Sequence, residues 1–146
     1  MYGLLADHNC AGQLQVLLRI CRSARWRTIW SELLVRLCTF ESLGLETNLP
    51  DYAIWDICQK ENLFLVTANR NSDGADSLQA TINLRGTVES LPVLTLGDAD
   101  AILEQPDYAE RAAARLMEIL IAPQEFKGTG RLYLPSTAEE SEELDT

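Results

Sequence analysis

Asp7, Asp51 and Asn69 stand where side chains can do chemistry. Asp7 closes the apolar run over residues 2–6, which reads as a buried first strand. Asp51 follows Pro50 at a helix start, on the same helix face as Ile54 and Cys58. Asn69 follows Leu63-Phe64-Leu65-Val66-Thr67, a continuous apolar run that fits a strand covered on both faces. Acids gathered at a strand edge repel one another unless a divalent cation lies between them. Hard oxygen donors favour Mg²⁺ or Mn²⁺ in that role. Such an ion can activate water and steady a phosphoryl transition state. Asp73 and Asp76, in the polar stretch 69–76, are further candidate metal ligands. Arg70 is a candidate contact to a backbone phosphate. Asn9 is placed either to meet substrate or to order its own loop through a side-chain hydrogen bond.

Each of these residues also has a plainer account. An acid in the first turn of a helix is favoured by the helix dipole, by about 0.3–1 kcal/mol, which suffices for Asp51. Asn69 suits a turn. Asp73, Asp76 and Asp98 fit ordinary loop carboxylates. His8 beside Asp7 is a candidate base, although activation of water by a metal needs no histidine. Trp26, Trp30 and Trp55 either stack on bases or pack helices, and an exposed apolar surface around the first two would suggest a homodimer.

Other chemistries find no support in the sequence. It contains no GxSxG nucleophile elbow, no GxxxxGK[ST] phosphate loop and no dinucleotide-binding glycine pattern. The four cysteines (Cys10, Cys21, Cys38 and Cys58) form no CxxC, and His8 is the only histidine, so a zinc site is not expected. Reduced thiols in a cytoplasmic protein are the simple expectation.

The elements that must position these residues follow from periodicity. Residues 11–25 place Leu14, Leu17, Leu18 and Cys21 on one helix face. Residues 33–40 read as a strand, with helix before it around Trp30. Asn48-Leu49-Pro50-Asp51 opens a helix running to about Glu61, capped by Asn48, with Ile54, Ile57 and Cys58 inward. A short helix near Leu78, a strand over Pro92–Leu96 and a helix over 107–121 follow, the last with Ala109, Ala112, Ala113, Leu116 and Leu120 on one side. Leu132-Tyr133-Leu134 is either a short strand or an extended arm. Strands alternating with helices predict an α/β fold, a three-layer α/β/α sandwich on a mostly parallel sheet. Chemistry in such sheets sits outside the carboxyl ends of the strands. The residues expected at those ends are Asp7, Glu41, Asn69 and Asp98.

The 146 residues suit one domain, over 1–135, with 136–146 as an acidic tail predicted to be disordered. The net charge is −10, and five acids lie in the last ten residues, so residues 1–136 carry 12 basic against 17 acidic side chains. No strong counterion-release footprint is visible. Five arginines (Arg19, Arg22, Arg25, Arg27 and Arg36) crowd one short stretch, as a solvated helix face or a local basic surface. No apolar run reaches ~18 residues, and the first residues lack the basic start of a signal peptide, so no membrane association is expected.

Leu4-Leu5-Ala6-Asp7-His8-Asn9 resembles the opening of the small PIN-like family (the Mut7-C-like or VapC-like group), where a strand ends in an acid followed closely by Asn. The stretch from Asp51 to Asn69, through Leu63-Phe64-Leu65-Val66-Thr67-Ala68, is similar to that family's unit of acid, helix, apolar strand, Thr and then an acid. Together they cover roughly the first half of the chain. The resemblance implies a PIN-like fold, Mg²⁺ or Mn²⁺ as cofactor, and cleavage of RNA. It also implies that the protein belongs with small toxins neutralised by an antitoxin-like partner. Asp7 matches the first family acid and Asp51 the helix acid. Asn69 stands where the family has another carboxylate; an amide oxygen can still bind a metal but adds no negative charge. Glu41 and Glu46 are candidates for the remaining family acid by position. A catalytically degenerate PIN-like module acting in protein association is the alternative.

Overall fold

The computed structural model describes residues 2–68 and 77–135. Its strands are β1 (Gly3–Ala6), β2 (Arg36–Cys38), β3 (Leu63–Ala68), β4 (Val93–Leu96) and β5 (Arg131–Leu134). The helices are α1 (Ala11–Cys21), α2 (Arg27–Leu33), α3 (Asp51–Glu61), α4 (Ser77–Arg85), α5 (Ala99–Glu104) and α6 (Pro106–Ile121). All five strands are parallel, in the order β2-β1-β3-β4-β5. The expected three-layer α/β/α architecture is present.

Alternation along each strand sorts the core into two clusters, one on each face of the sheet. Leu4, Phe64, Val66, Leu94, Leu96, Leu132 and Leu134 meet α1, α5 and α6. Leu5, Leu63, Leu65 and Val93 meet α3 and α4. Residues on α6 from Ala109 to Leu120 bury one continuous stripe, as their spacing predicts.

This distribution fixes an unusual topology. The β1–β2, β2–β3 and β3–β4 crossovers share one hand, because direction and face reverse together after β2. The β4–β5 crossover continues in the same direction but places α5 and α6 on the α1 face, so its hand is opposite. With the first three in the usual right-handed sense, the last is left-handed, against a preference of about 98%. Among the described residues, the α3–α4 face of β5 is left without a helix of its own. There a groove of ≈ 640 Å³ opens, lined by Arg131 and Tyr133 together with Ile82, Asn83 and Val88.

Several boundaries differ from expectation. α1 stops at Cys21 rather than 25, and the chain turns before α2. The strand expected over 33–40 keeps only residues 36–38, because Leu33 belongs to α2 and Leu34 leaves it in a left-handed conformation (φ 52°, ψ 45°). Asn48 does not cap α3; Pro50 holds the capping position with extended backbone, and no side chain accepts there. Trp55, rather than Ile57, completes the buried face of that helix. α5 was not anticipated. Asp98 caps it, its carboxylate accepting from the Ala101 N–H at 3.1 Å. Leu132-Tyr133-Leu134 is a true strand, paired in register with β4. The tail, 136–146, lies outside the described residues.

The cysteines are free; Cys10, Cys21 and Cys58 are buried, and Cys38 is half-buried. Burial pushes the thiols of Cys21 and Cys58 up to about 12, so neither is a nucleophile at neutral pH. Trp26 and Trp30 are half-buried against the core, and Trp55 is buried. No helix among the described residues is long and apolar enough to cross a membrane.

Candidate functional site at the carboxyl rim

The chain leaves β1 for β2 on one side and later returns to β3 on the other, so the strand order reverses between β1 and β3. In open parallel sheets the crevice at that reversal is where ligands bind. Asp7 stands there. Its N–H donates to the carbonyl of Val66 on β3 at 2.9 Å, and its own carbonyl accepts from the Cys10 N–H at 2.9 Å. The Cys10 thiol donates to the same Val66 carbonyl at 3.2 Å. Main chain and thiol thus tie the turn after β1 onto β3, and the Asp7 side chain is left 28% exposed at the rim.

His8 and Phe40 lie beside this turn. His8 Nδ1 lies 3.5 Å from Asp7 Oδ1. Its ring meets Phe40 edge-on, with centroids 6.0 Å apart and planes at 89°. Phe40 is buried just past β2, in a loop tied by reciprocal hydrogen bonds between Thr39 and Ser42 and by the Leu45 N–H donating to the Phe40 carbonyl. This contact joins residues far apart in sequence and carries no local signal, so sequence reasoning missed it. Tyr108 was also missed. Its hydroxyl lies beside Gly97 and the Asp98 backbone at the end of β4, and partial burial raises its pKa.

Asp51 is the half-buried first residue of α3. The other end of that helix is fastened at the amino side of the sheet. Asn62 accepts there from Gly3, and the Gln59 amide exchanges two hydrogen bonds with the Leu91 backbone at 2.9 Å each. A helix of 11 residues spans about 16 Å. Asp51 therefore lies toward the carboxyl side of the sheet, the side that bears Asp7.

The remaining candidates divide clearly. Asn9 is exposed on the turn after β1; among the described residues, the hydrogen bonds fixing that turn come from Cys10 and Asp7 rather than from Asn9. Glu41 and Glu46 are exposed on the loop after β2. The helix-capping role of Asp98 accounts for its position. Asn69, Arg70, Asp73 and Asp76 lie outside the described residues. Among the described residues, no group of three or more His, Cys, Asp or Glu side chains is gathered as a metal site. Asp7 and Asp51 each carry oxygen donors of the kind that suit Mg²⁺ or Mn²⁺.

No protein-family profile matches the chain, and no similar curated protein or solved structure was found.

Proposed function

We propose that this protein is a metal-dependent ribonuclease of PIN-like type, hydrolysing RNA phosphodiesters in the cytoplasm. One observation carries the proposal: Asp7 is pinned by its own backbone at the point where the strand order reverses, with its carboxylate accessible. Asp51, whose helix begins on the same side of the sheet and runs away from it, is the second acid. Asn69, with Asp73 or Asp76, would complete the donor set for Mg²⁺ or Mn²⁺, and Arg70 and Asn9 would meet the substrate. When bound, the cation supplies charge stabilisation for phosphoryl transfer and acidifies water. Asp7 and Asp51 would hold and orient it, with His8 Nδ1 3.5 Å from the Asp7 carboxylate and its ring edge-on to Phe40. A role as a toxin held by an antitoxin-like partner follows from the same resemblance.

The test pairs cleavage with metal binding. The protein should cleave RNA in Mn²⁺, and saturating metal should raise its melting temperature by mass action. Asp7→Asn should lose both effects while melting normally without metal. Cleavage undiminished in that variant would reject the assignment.

The amide at Asn69 and the net charge of −10 favour a second reading, a degenerate PIN-like module acting in protein association. In that case millimolar Mn²⁺ leaves the melting temperature of the wild type unmoved.

A further inference from the structure

Residues 8–31 contain Arg19, Arg22, Arg25 and Arg27 and no Asp or Glu, whereas the rest of the chain carries 22 acids against eight basic residues. This segregation is maintained in three dimensions. All four arginines are exposed on the end of α1, the turn after it and the start of α2. None takes part in an ion pair among the described residues.

Two of the guanidinium groups are held in place. Arg22 lies over the Trp30 ring, 6.0 Å from its centroid, and Arg25 lies over Trp26 at 5.1 Å. Trp26 and Trp30 are one helical turn apart, with the Trp30 N–H donating to the Trp26 carbonyl at 2.9 Å. Their side chains therefore share a face, and each carries one of the two cations. Contact with the indoles biases these arginines toward one arrangement and so offsets part of the rotamer freedom that a long cation loses on binding an anion. Helix stability explains Arg19 and Arg22, at the carboxyl end of α1, but not Arg25 and Arg27. Those two sit at the amino end of α2, where the dipole disfavours a cation and the first turn has no acid.

We propose that this arginine strip on α1 and α2 grips the sugar–phosphate backbone of single-stranded RNA. A guanidinium fork matches phosphate oxygens in pairs, and a row of fixed cations follows a flexible strand without reading its sequence. The inference rests on RNA as the substrate class of the proposed nuclease, but not on catalysis, and it gives an acidic protein a place where a polyanion is attracted rather than repelled.

The test is fluorescence anisotropy of a short labelled single-stranded RNA with the full chain, in EDTA so that the probe stays intact. Affinity should fall with salt with a slope of about −0.7 per phosphate contacted, on the order of −3 for four arginines. Arg22→Ala with Arg25→Ala should weaken binding at least tenfold and flatten that slope by roughly 1.4. Arg22→Lys with Arg25→Lys should keep the slope. If the alanine variant does not fold, Arg19→Glu with Arg27→Glu, which touches neither indole, should abolish binding. Asp7→Asn should bind as the wild type does, so loss of cleavage and loss of grip are separable. Unchanged affinity in the folded alanine variant, or in the glutamate variant, overturns the proposal. So does competition by polyglutamate equal to that by RNA at matched charge, which would make the strip a docking face for an acidic protein.

Discussion

Asp7 and Val66 are joined main chain to main chain at 2.9 Å, and the same Val66 carbonyl also accepts from the Cys10 thiol at 3.2 Å. The position of Asp7 is thus a property of the β1–β3 ladder and of a buried sulfur rather than of its own carboxylate. A change at the carboxylate leaves the anchor intact, which makes Asp7→Asn a clean probe of chemistry.

Cys10→Ala removes the thiol donor and leaves a small void. The Asp7 N–H still satisfies the Val66 carbonyl, so the expected cost is about 1–3 kcal/mol, measured by urea unfolding. The turn carrying Asp7 loosens, and metal-induced stabilisation should shrink without vanishing. A loss as complete as that of Asp7→Asn would mean that Cys10 itself contacts the ion.

Gly3 admits no side chain. A Cβ there would lie 2.5 Å from the Arg36 carbonyl oxygen and 2.7 Å from a Leu63 methyl. Gly3→Ala should push β2 away from β1 and destabilise by about 1–3 kcal/mol. A melting temperature equal to that of the wild type would show that the edge strand yields freely.

His8→Ala and Phe40→Ala separate rim geometry from core packing. Phe40 is buried, and its truncation should cost about 3–5 kcal/mol. His8 is exposed, and its removal should change stability by under about 0.5 kcal/mol. If the histidine orients Asp7, the first variant should still weaken Mn²⁺ binding, as read by calorimetry.

Alkaline stability should depend on two thiols. Burial raises Cys21 and Cys58 from 9.0 to about 12, so the unfolded chain releases protons first as pH rises. Stability is then full below about pH 9 and falls between 9 and 12, by up to about 1.4 kcal/mol per pH unit for each thiol. Urea midpoints at pH 8 and pH 10 should converge in Cys21→Ala with Cys58→Ala relative to the wild type. An equal drop in both proteins would assign the loss to other groups.

Much of the architecture is legible in the residues because local and global preferences agree. The apolar runs before Asp7 and Asn69 become β1 and β3, and the stripe on α6 is buried as its spacing requires. Boundaries fail where tertiary contacts decide them. Leu34 adopts a left-handed turn that its type does not announce, and α5 is too short for periodicity to reveal. Periodicity tells which side of a helix is apolar but not which face of the sheet receives it, so the reversed β4–β5 crossover leaves no trace in the pattern. At the rim, the strand-end rule locates Asp7, whereas the contact between His8 and Phe40 depends on how two loops meet.

That reversed crossover divides the domain mechanically. Among the described residues, β5 has β4 as its only strand neighbour, and its connecting helices lie on one face alone. Amide protons of β5 should therefore exchange with deuterium sooner than those of β3, which is flanked by strands and covered on both faces. The last strand would then be the detachable margin of the protein: a place to unzip under load while the β1–β3 seam, and the acid it carries, stay shut.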